Sequence, residues 1–300
     1  MPLKTLGGRQ FWGDVHFFHD WRIQKNVIFG QYRLLDGEDR RHVSGTLEQC
    51  RAALDRVKKQ RNLPPMTGKA VVLVHGIVRS SKSLGAIGDR LKREGYQVFG
   101  FDYPSTRISI DEAAEYLHSA LSSLEGIEQI DLVVHSMGGL VVRACLAEHE
   151  DERLRRMVMI AVPNTGAHMA DRMENGVLRG PFRLVMGEAG GQMVRDEEGF
   201  VRKLPIPEFE FGIIAGARGI DEGYNPLIPG DDDGTVAVES TKLPGAADFM
   251  MAHGLHSFLM NDETVVDAAV RFLQTGKFRE KGDAQPIPRE MAMERAPAAP

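Results

Sequence analysis

Cysteine is nearly absent from this 300-residue chain: there are two, Cys50 and Cys145. A secreted scaffold held by disulfides would carry many more, so both read as reduced side chains of amphipathic, core-facing stretches. Long apolar runs are also missing, and with them a membrane-spanning helix and any integral membrane association. From Met1 to Phe18 the chain carries Lys4, Arg9, Asp14 and several glycines where a secretory signal needs an unbroken apolar segment, so the cytoplasm is the expected location. There is no concentrated basic stripe. With 37 Lys and Arg against 42 Asp and Glu, the net charge is -5, and no nucleic-acid partner is expected.

What is present is a 42% hydrophobic chain long enough for one large α/β domain with a sizeable core. From Ala70 onward, strand and helix patterns alternate, the signature of a mostly parallel sheet covered by helices on both faces. Strands are predicted at Ala70–Val74, Gln97–Tyr103, Ile130–Val134, Met157–Val162 and Phe211–Ala215, with a shorter one at Asp248–Met251. Helical spacing runs through Leu84, Ile87 and Leu91, through Ala113, Leu117, Leu121 and Leu124, and from Leu140 to Leu146. A closing helix is expected through Val265, Val266, Ala269, Phe272 and Leu273.

Residues 1–65 have a different organisation. Phe11 to Leu35 is rich in aromatic and β-branched residues, Leu47 to Val57 shows helical spacing, and Pro64-Pro65 closes the segment. So short a piece buries little surface alone, so it is expected to pack as an extension on a main domain spanning 66–279. Residues 280–300 turn charged, then Pro- and Ala-rich, and are expected to be a disordered tail. Between the fourth and fifth strands, residues 164–208 are too long for a plain connection and carry Met169, Met173, Phe182 and Met186 among interleaved glycines. A cap insertion over a pocket, or short helices completing the core, accounts for that pattern. His16, His19 and Asp20 have the spacing of metal ligands, but their aromatic setting favours a packed strand or turn, and no metal is expected.

The chemistry concentrates around Ser136. Ile130 to Val134 is a buried strand, Leu140 onward is a helix, and His135-Ser136-Met137-Gly138-Gly139 joins them in a sharp turn. Such a nucleophile elbow lifts a serine hydroxyl out of the backbone and sets it beside N–H groups able to hold an oxyanion. Two positions before the serine stands Val134, where this motif usually has glycine. Downstream, Asp231-Asp232-Asp233-Gly234 offers an acid. Asp233 is favoured because it lies last, before Gly234 and Val236, and should turn inward while Asp231 and Asp232 face water; Asp232 is the fallback, and the run lacks the spaced ligands of a calcium loop. His253 and His256 are the candidate bases, His256 being favoured as the one nearer the last helix. The loop Val74-His75-Gly76-Ile77-Val78 after the first strand suits an upstream oxyanion donor, so the N–H groups of Ile77 and Met137 are the expected pair, with His75 supporting the loop by hydrogen bonding. Arg79 and Arg143 are expected in surface or structural ion pairs. Val78, Pro163, Met169 and Phe182 are the candidate pocket residues.

Taken in order, Val74-His75-Gly76, His135-Ser136-Met137-Gly138-Gly139, Val162-Pro163-Asn164-Thr165-Gly166, Asp233-Gly234-Thr235-Val236 and the late His256 resemble the α/β-hydrolase superfamily. The nearest likeness is to lipase-like bacterial esterases with a His-Ser-Met-Gly-Gly elbow. The resemblance spans Ala70 to about Phe278. It implies an α/β-hydrolase fold with a central sheet of about eight strands, a triad of Ser136, Asp233 and His256, no cofactor, and hydrolysis of small-molecule or lipid esters. A thioesterase or acyltransferase using the same triad, or a non-catalytic binding module, are the competing readings.

Overall fold

The computed structural model of the chain describes residues 3–4, 9–167, 187–194 and 199–289. The strands β1 (Leu3–Lys4), β2 (Trp12–Phe18), β3 (Trp21–Asn26), β4 (Tyr32–Leu35) and β5 (Arg40–Gly45) form an antiparallel sheet in the order β1-β5-β4-β3-β2. Helix α1 (Leu47–Gln60) follows, its first turn closed by a reciprocal capping box between Thr46 and Gln49.

Six further strands make the central sheet: β6 (Gly68–Val74), β7 (Gln97–Phe101), β8 (Ile127–His135), β9 (Leu154–Ile160), β10 (Glu210–Ala217) and β11 (Asp248–His253), in the order β11-β10-β9-β8-β6-β7 and parallel throughout. Between them run α2 (Gly85–Arg93), α3 (Ile110–Ser122) and α4 (Met137–Glu148), and α5 (Glu263–Thr275) closes the fold. Successive residues of a strand point to opposite faces. Val72 and Val74 therefore join the apolar cluster that holds α3, α4 and the N-terminal strands, while Val71 and Leu73 join the one beneath α2 and α5. Both faces are dry, which is why these strands read as unbroken apolar runs. Among the described residues no helix is long and apolar enough to cross a membrane.

Four departures from the sequence reading have physical causes. Among the described residues the sheet has six strands rather than about eight, because the N-terminal strands complete their ladders with one another and add none to it, meeting it instead through Phe17 packed on Phe99 of β7 and the Asp14 N–H donated to the Asp102 carbonyl at 2.8 Å. Strand β9 stops at Ile160 instead of reaching Val162, since Ala161 takes a left-handed φ of 49°. Strand β11 runs on to His253, in register with Ala217. Residues 280–289 lie against the domain rather than as a disordered tail: the Ile287 N–H donates to the Ala246 carbonyl, the Gly245 N–H to the Ile287 carbonyl, and the Gln285 N–H to Asp248 Oδ1. Apolar Ile287 packs on the core there, which the surrounding charge and proline had concealed. Residues 290–300 lie outside the described residues.

Where the N-terminal sheet meets the main one, a buried polar cluster gathers Asp14 of β2, Arg22 and Gln24 of β3, Arg33 of β4, Asp39 of the β4–β5 turn and Asp102 after β7. Burial, reinforced by the charge of Asp102, pushes the Asp14 carboxyl up to about 7 against the pull of Arg22. The folded state thus binds the Asp14 proton more tightly than the unfolded chain does. Its contribution to stability is complete below the unfolded value and lost as pH rises from about 4 to about 7. Thermal midpoints measured across that range should therefore fall less steeply for Asp14→Asn than for the natural chain; parallel curves would contradict this.

Candidate active site

Strand β8 ends at His135 and α4 begins at Met137, so Ser136 alone must reverse the chain from extended to helical. It does so at φ 53° and ψ -129°, a region that costs a non-glycine residue on the order of 1–3 kcal/mol. The helix sits so close that a Cβ on Gly138 would lie 2.5 Å from the Val74 carbonyl oxygen. Only glycine fits there. The branched Val134 side chain is buried in the same apolar cluster as Val74, Met137 and Met159.

The loops beyond β10 and β11 bring two side chains to the serine. His256 Nε2 stands 3.0 Å from Ser136 Oγ, and its Nδ1 stands 2.7 Å from Asp233 Oδ2. A carboxylate only accepts, so Nδ1 carries the proton and Nε2 is left bare to receive the serine hydroxyl. Asp233 is buried and held in place: its Oδ1 accepts the N–H groups of Thr235 at 3.0 Å and Val236 at 2.8 Å, and its carbonyl accepts the His256 N–H at 2.8 Å.

The alternatives lie elsewhere. His253 ends β11 and its Nδ1 pairs with the Arg218 carbonyl. Asp232 does not face water as expected: it is buried and accepts the N–H groups of Asn225 and Gly234, while half-buried Asp231 accepts those of Arg218 and Gly219. Both carboxylates tie the acid loop to itself, because a glycine-rich turn leaves backbone donors that need acceptors. Burial raises the Asp232 carboxyl above the usual range.

After β6 the chain turns through His75, Gly76, Ile77 and Val78. His75 is buried, donates from Nδ1 to the Gly76 carbonyl at 2.7 Å, and accepts the Tyr103 N–H at Nε2 at 3.3 Å. The Tyr103 hydroxyl donates to the His75 carbonyl at 2.8 Å and the two rings stack at 4.4 Å. Burial lowers the His75 pKa, keeping the ring neutral. Val78, a β-branched residue, is held at φ 56° with its N–H donated to Ser105 Oγ at 3.0 Å. Ile77 thus lies between two pinned residues, and Met137 opens α4, where N–H groups have no partner within the helix.

His135, Tyr103 and Ser105 escaped the sequence reading. Buried His135 donates from Nε2 to the His256 carbonyl at 3.1 Å and its ring packs against that of His256 at 4.7 Å, while burial and the neighbouring His256 hold its pKa well below the ordinary value. The histidine before the serine was the only local signal for the first. Ser105 and Val78 are separated by 27 residues, and no local pattern joins them.

A cavity of about 440 Å³ opens beside this loop, lined in part by Val78, Arg79, Tyr103, Ser105 and Thr106. Of the other pocket candidates, Pro163 is buried in the turn after β9, while Met169 and Phe182 lie outside the described residues. Arg143 was expected in an ion pair, but it makes none with the described residues. It is buried and donates to the carbonyls of Leu204, Pro205 and Asn164, and burial lowers its pKa to about 10. His16, on β2, is brought down to about 4 by burial and by nearby Lys58 and Arg51, whereas His19 sits in the following turn with Nε2 bonded to the Pro64 carbonyl.

Comparison with solved structures places this architecture. Lipase BlEst2 of Bacillus licheniformis in its propeptide form is 19% identical with a TM-score of 0.57, covering 72% of this chain and 51% of its own. The fold is that of an α/β-hydrolase. The mature form of that lipase gives 20% identity and a TM-score of 0.52, over 65% of this chain and 86% of its own. A bromoperoxidase from Bacillus anthracis gives 19% and 0.51, over 69% and 92%. The chain spans about half the length of the propeptide form it matches. Residues 43–178 match a sequence family described as a domain of unknown function, DUF7379. No curated protein matches the sequence. In this α/β-hydrolase fold, Ser136 stands at the carboxyl end of β8, where ligands bind in open α/β sheets.

Proposed function

We propose that the chain is a serine hydrolase of carboxylic esters, working through an acyl-enzyme on Ser136. The observation that carries this reading is the continuous line from Ser136 Oγ through His256 to Asp233, at 3.0 and 2.7 Å, on a strained elbow. His256 Nε2 takes the hydroxyl proton as Oγ attacks the ester carbonyl, and Asp233 holds the imidazole and balances the charge it gains. The N–H groups of Ile77 and Met137 receive the developing oxyanion. The imidazolium returns its proton to the leaving alcohol, and a water activated by the same ring releases the acid. Lipases among the proteins of like fold support an ester, including a lipid ester, as substrate.

The test is chemical labelling. A fluorophosphonate should attach one adduct per chain, mapped by peptide mass to Ser136, and the unlabelled protein should hydrolyse p-nitrophenyl butyrate. Absence of an adduct at Ser136 would reject the reading in favour of a non-catalytic module.

A further inference from the structure

The serine-hydrolase reading leaves the N-terminal sheet without a task, and this sheet touches the catalytic domain at the turn that holds the oxyanion loop. The Asp14 N–H donates to the Asp102 carbonyl at 2.8 Å, and the Asp102 N–H donates back to Asp14 Oδ2 at 2.7 Å. Next to it, a Cβ on Gly13 would lie 2.5 Å from the Tyr116 ring and 3.2 Å from Pro104 Cδ, so β2 lies directly on the turn. From β3, Arg22 reaches Asp102 Oδ2 at 3.3 Å and stands 4.0 Å from Asp14 Oδ1, with its other nitrogen on Asp39. Gln24 donates to Asp14 Oδ1 and accepts from Arg33, which closes the cluster on the sheet side.

On its other side the same turn grips the oxyanion loop. Asp102 Oδ1 accepts the Ser81 N–H at 2.7 Å and stands 3.8 Å from His75 Nε2. Tyr103 fixes His75 through its N–H and hydroxyl, and Ser105 fixes the strained Val78. Residues 102–105 therefore clamp both ends of the segment containing Ile77, and residues 13, 14 and 22 clamp residues 102–105.

We infer that Asp14 and Arg22 are positioning residues for the Ile77 oxyanion donor, acting through Asp102, Tyr103, Ser105 and His75, so that the N-terminal sheet belongs to the catalytic machinery. This rests on the proposed role of Ser136. Asp14 Oδ2 accepts the Asp102 N–H and Arg22 bridges Asp14, Asp39 and Asp102, so truncating either side chain removes a tie that holds the turn in place. A shift of about 1 Å at a catalytic donor can cost on the order of a hundredfold in rate.

The experiment uses the full chain, with kcat expressed per fluorophosphonate-titrated Ser136 and with a trifluoromethyl ketone as the oxyanion-forming inhibitor. Asp14→Ala should lower kcat about tenfold or more, leave KM within about twofold, and raise the inhibitor Ki in proportion to the loss of kcat/KM. Asp14→Asn keeps an acceptor for the Asp102 N–H and should recover part of the loss. If Asp14→Ala does not fold, Arg22→Lys and Ser105→Ala apply the same criteria to the outer and inner links. A purely structural role would lower the thermal midpoint and the titratable fraction but leave kcat and Ki per site within about twofold, and that result would overturn the inference while the natural chain stayed active. A natural chain that neither labels nor hydrolyses would overturn the reading of Ser136 and this inference with it.

Discussion

Ser136→Ala is expected to lower kcat for a short-chain ester by about 10⁵-fold or more while the thermal midpoint stays close to that of the natural chain. In the proposed mechanism the hydroxyl is the atom that bonds to the substrate, and without it His256 Nε2 is a proton acceptor with no nucleophile to serve. Stability changes little because alanine adopts the same left-handed backbone at similar cost and the oxygen removed bonds to His256 rather than to the fold. Progress curves at high enzyme concentration measure the residual rate, and circular dichroism the folding. Activity within tenfold of the natural chain would sink the acyl-enzyme mechanism.

The second large effect separates two adjacent aspartates. Asp233→Asn should reduce kcat by about 10⁴-fold, because the amide, with its oxygen still accepting from Thr235 and Val236, turns an NH₂ toward His256 Nδ1 and forces the proton onto Nε2. That tautomer cannot receive the serine proton. Asp232→Asn should leave kcat nearly intact and lower the thermal midpoint, since Asp232 accepts from Asn225 and Gly234 within its own loop. Steady-state kinetics and melting curves on both variants decide the assignment, and the reverse pattern would move the acid to Asp232.

Much of this site was legible because its signals are local. A one-residue turn between a dry strand and a glycine-flanked helix is written in His135 to Gly139, and the downstream order of acid and base is written in the positions of Asp233 and His256. The ties between neighbours were not legible. Whether His253 or His256 reaches the serine depends on how far β11 continues, and its pairing with β10 as far as Ala217–His253 commits His253 to the sheet end. The expectation that Asp232 faces water failed because its partners are the backbone N–H groups of Asn225 and Gly234, seven and two residues away, whose directions depend on the folded loop. The ordered segment through Arg289 was missed for a related reason: Ile287 is a single apolar residue in a charged stretch, and its docking site on Ala246 exists only after folding.

By itself, the sequence determined the alternating layers of the α/β-hydrolase fold, the nucleophile candidate and the candidate oxyanion loop, since apolar periodicity and glycine-dependent turns act over a few residues. The tertiary structure decided which histidine and aspartate meet Ser136, how Arg143 is satisfied, and where the N-terminal sheet rests. Those outcomes depend on contacts across long chain separations, such as Asp14 with Asp102 and Ser136 with His256, and no local pattern encodes a distance of 3 Å between residues 120 apart.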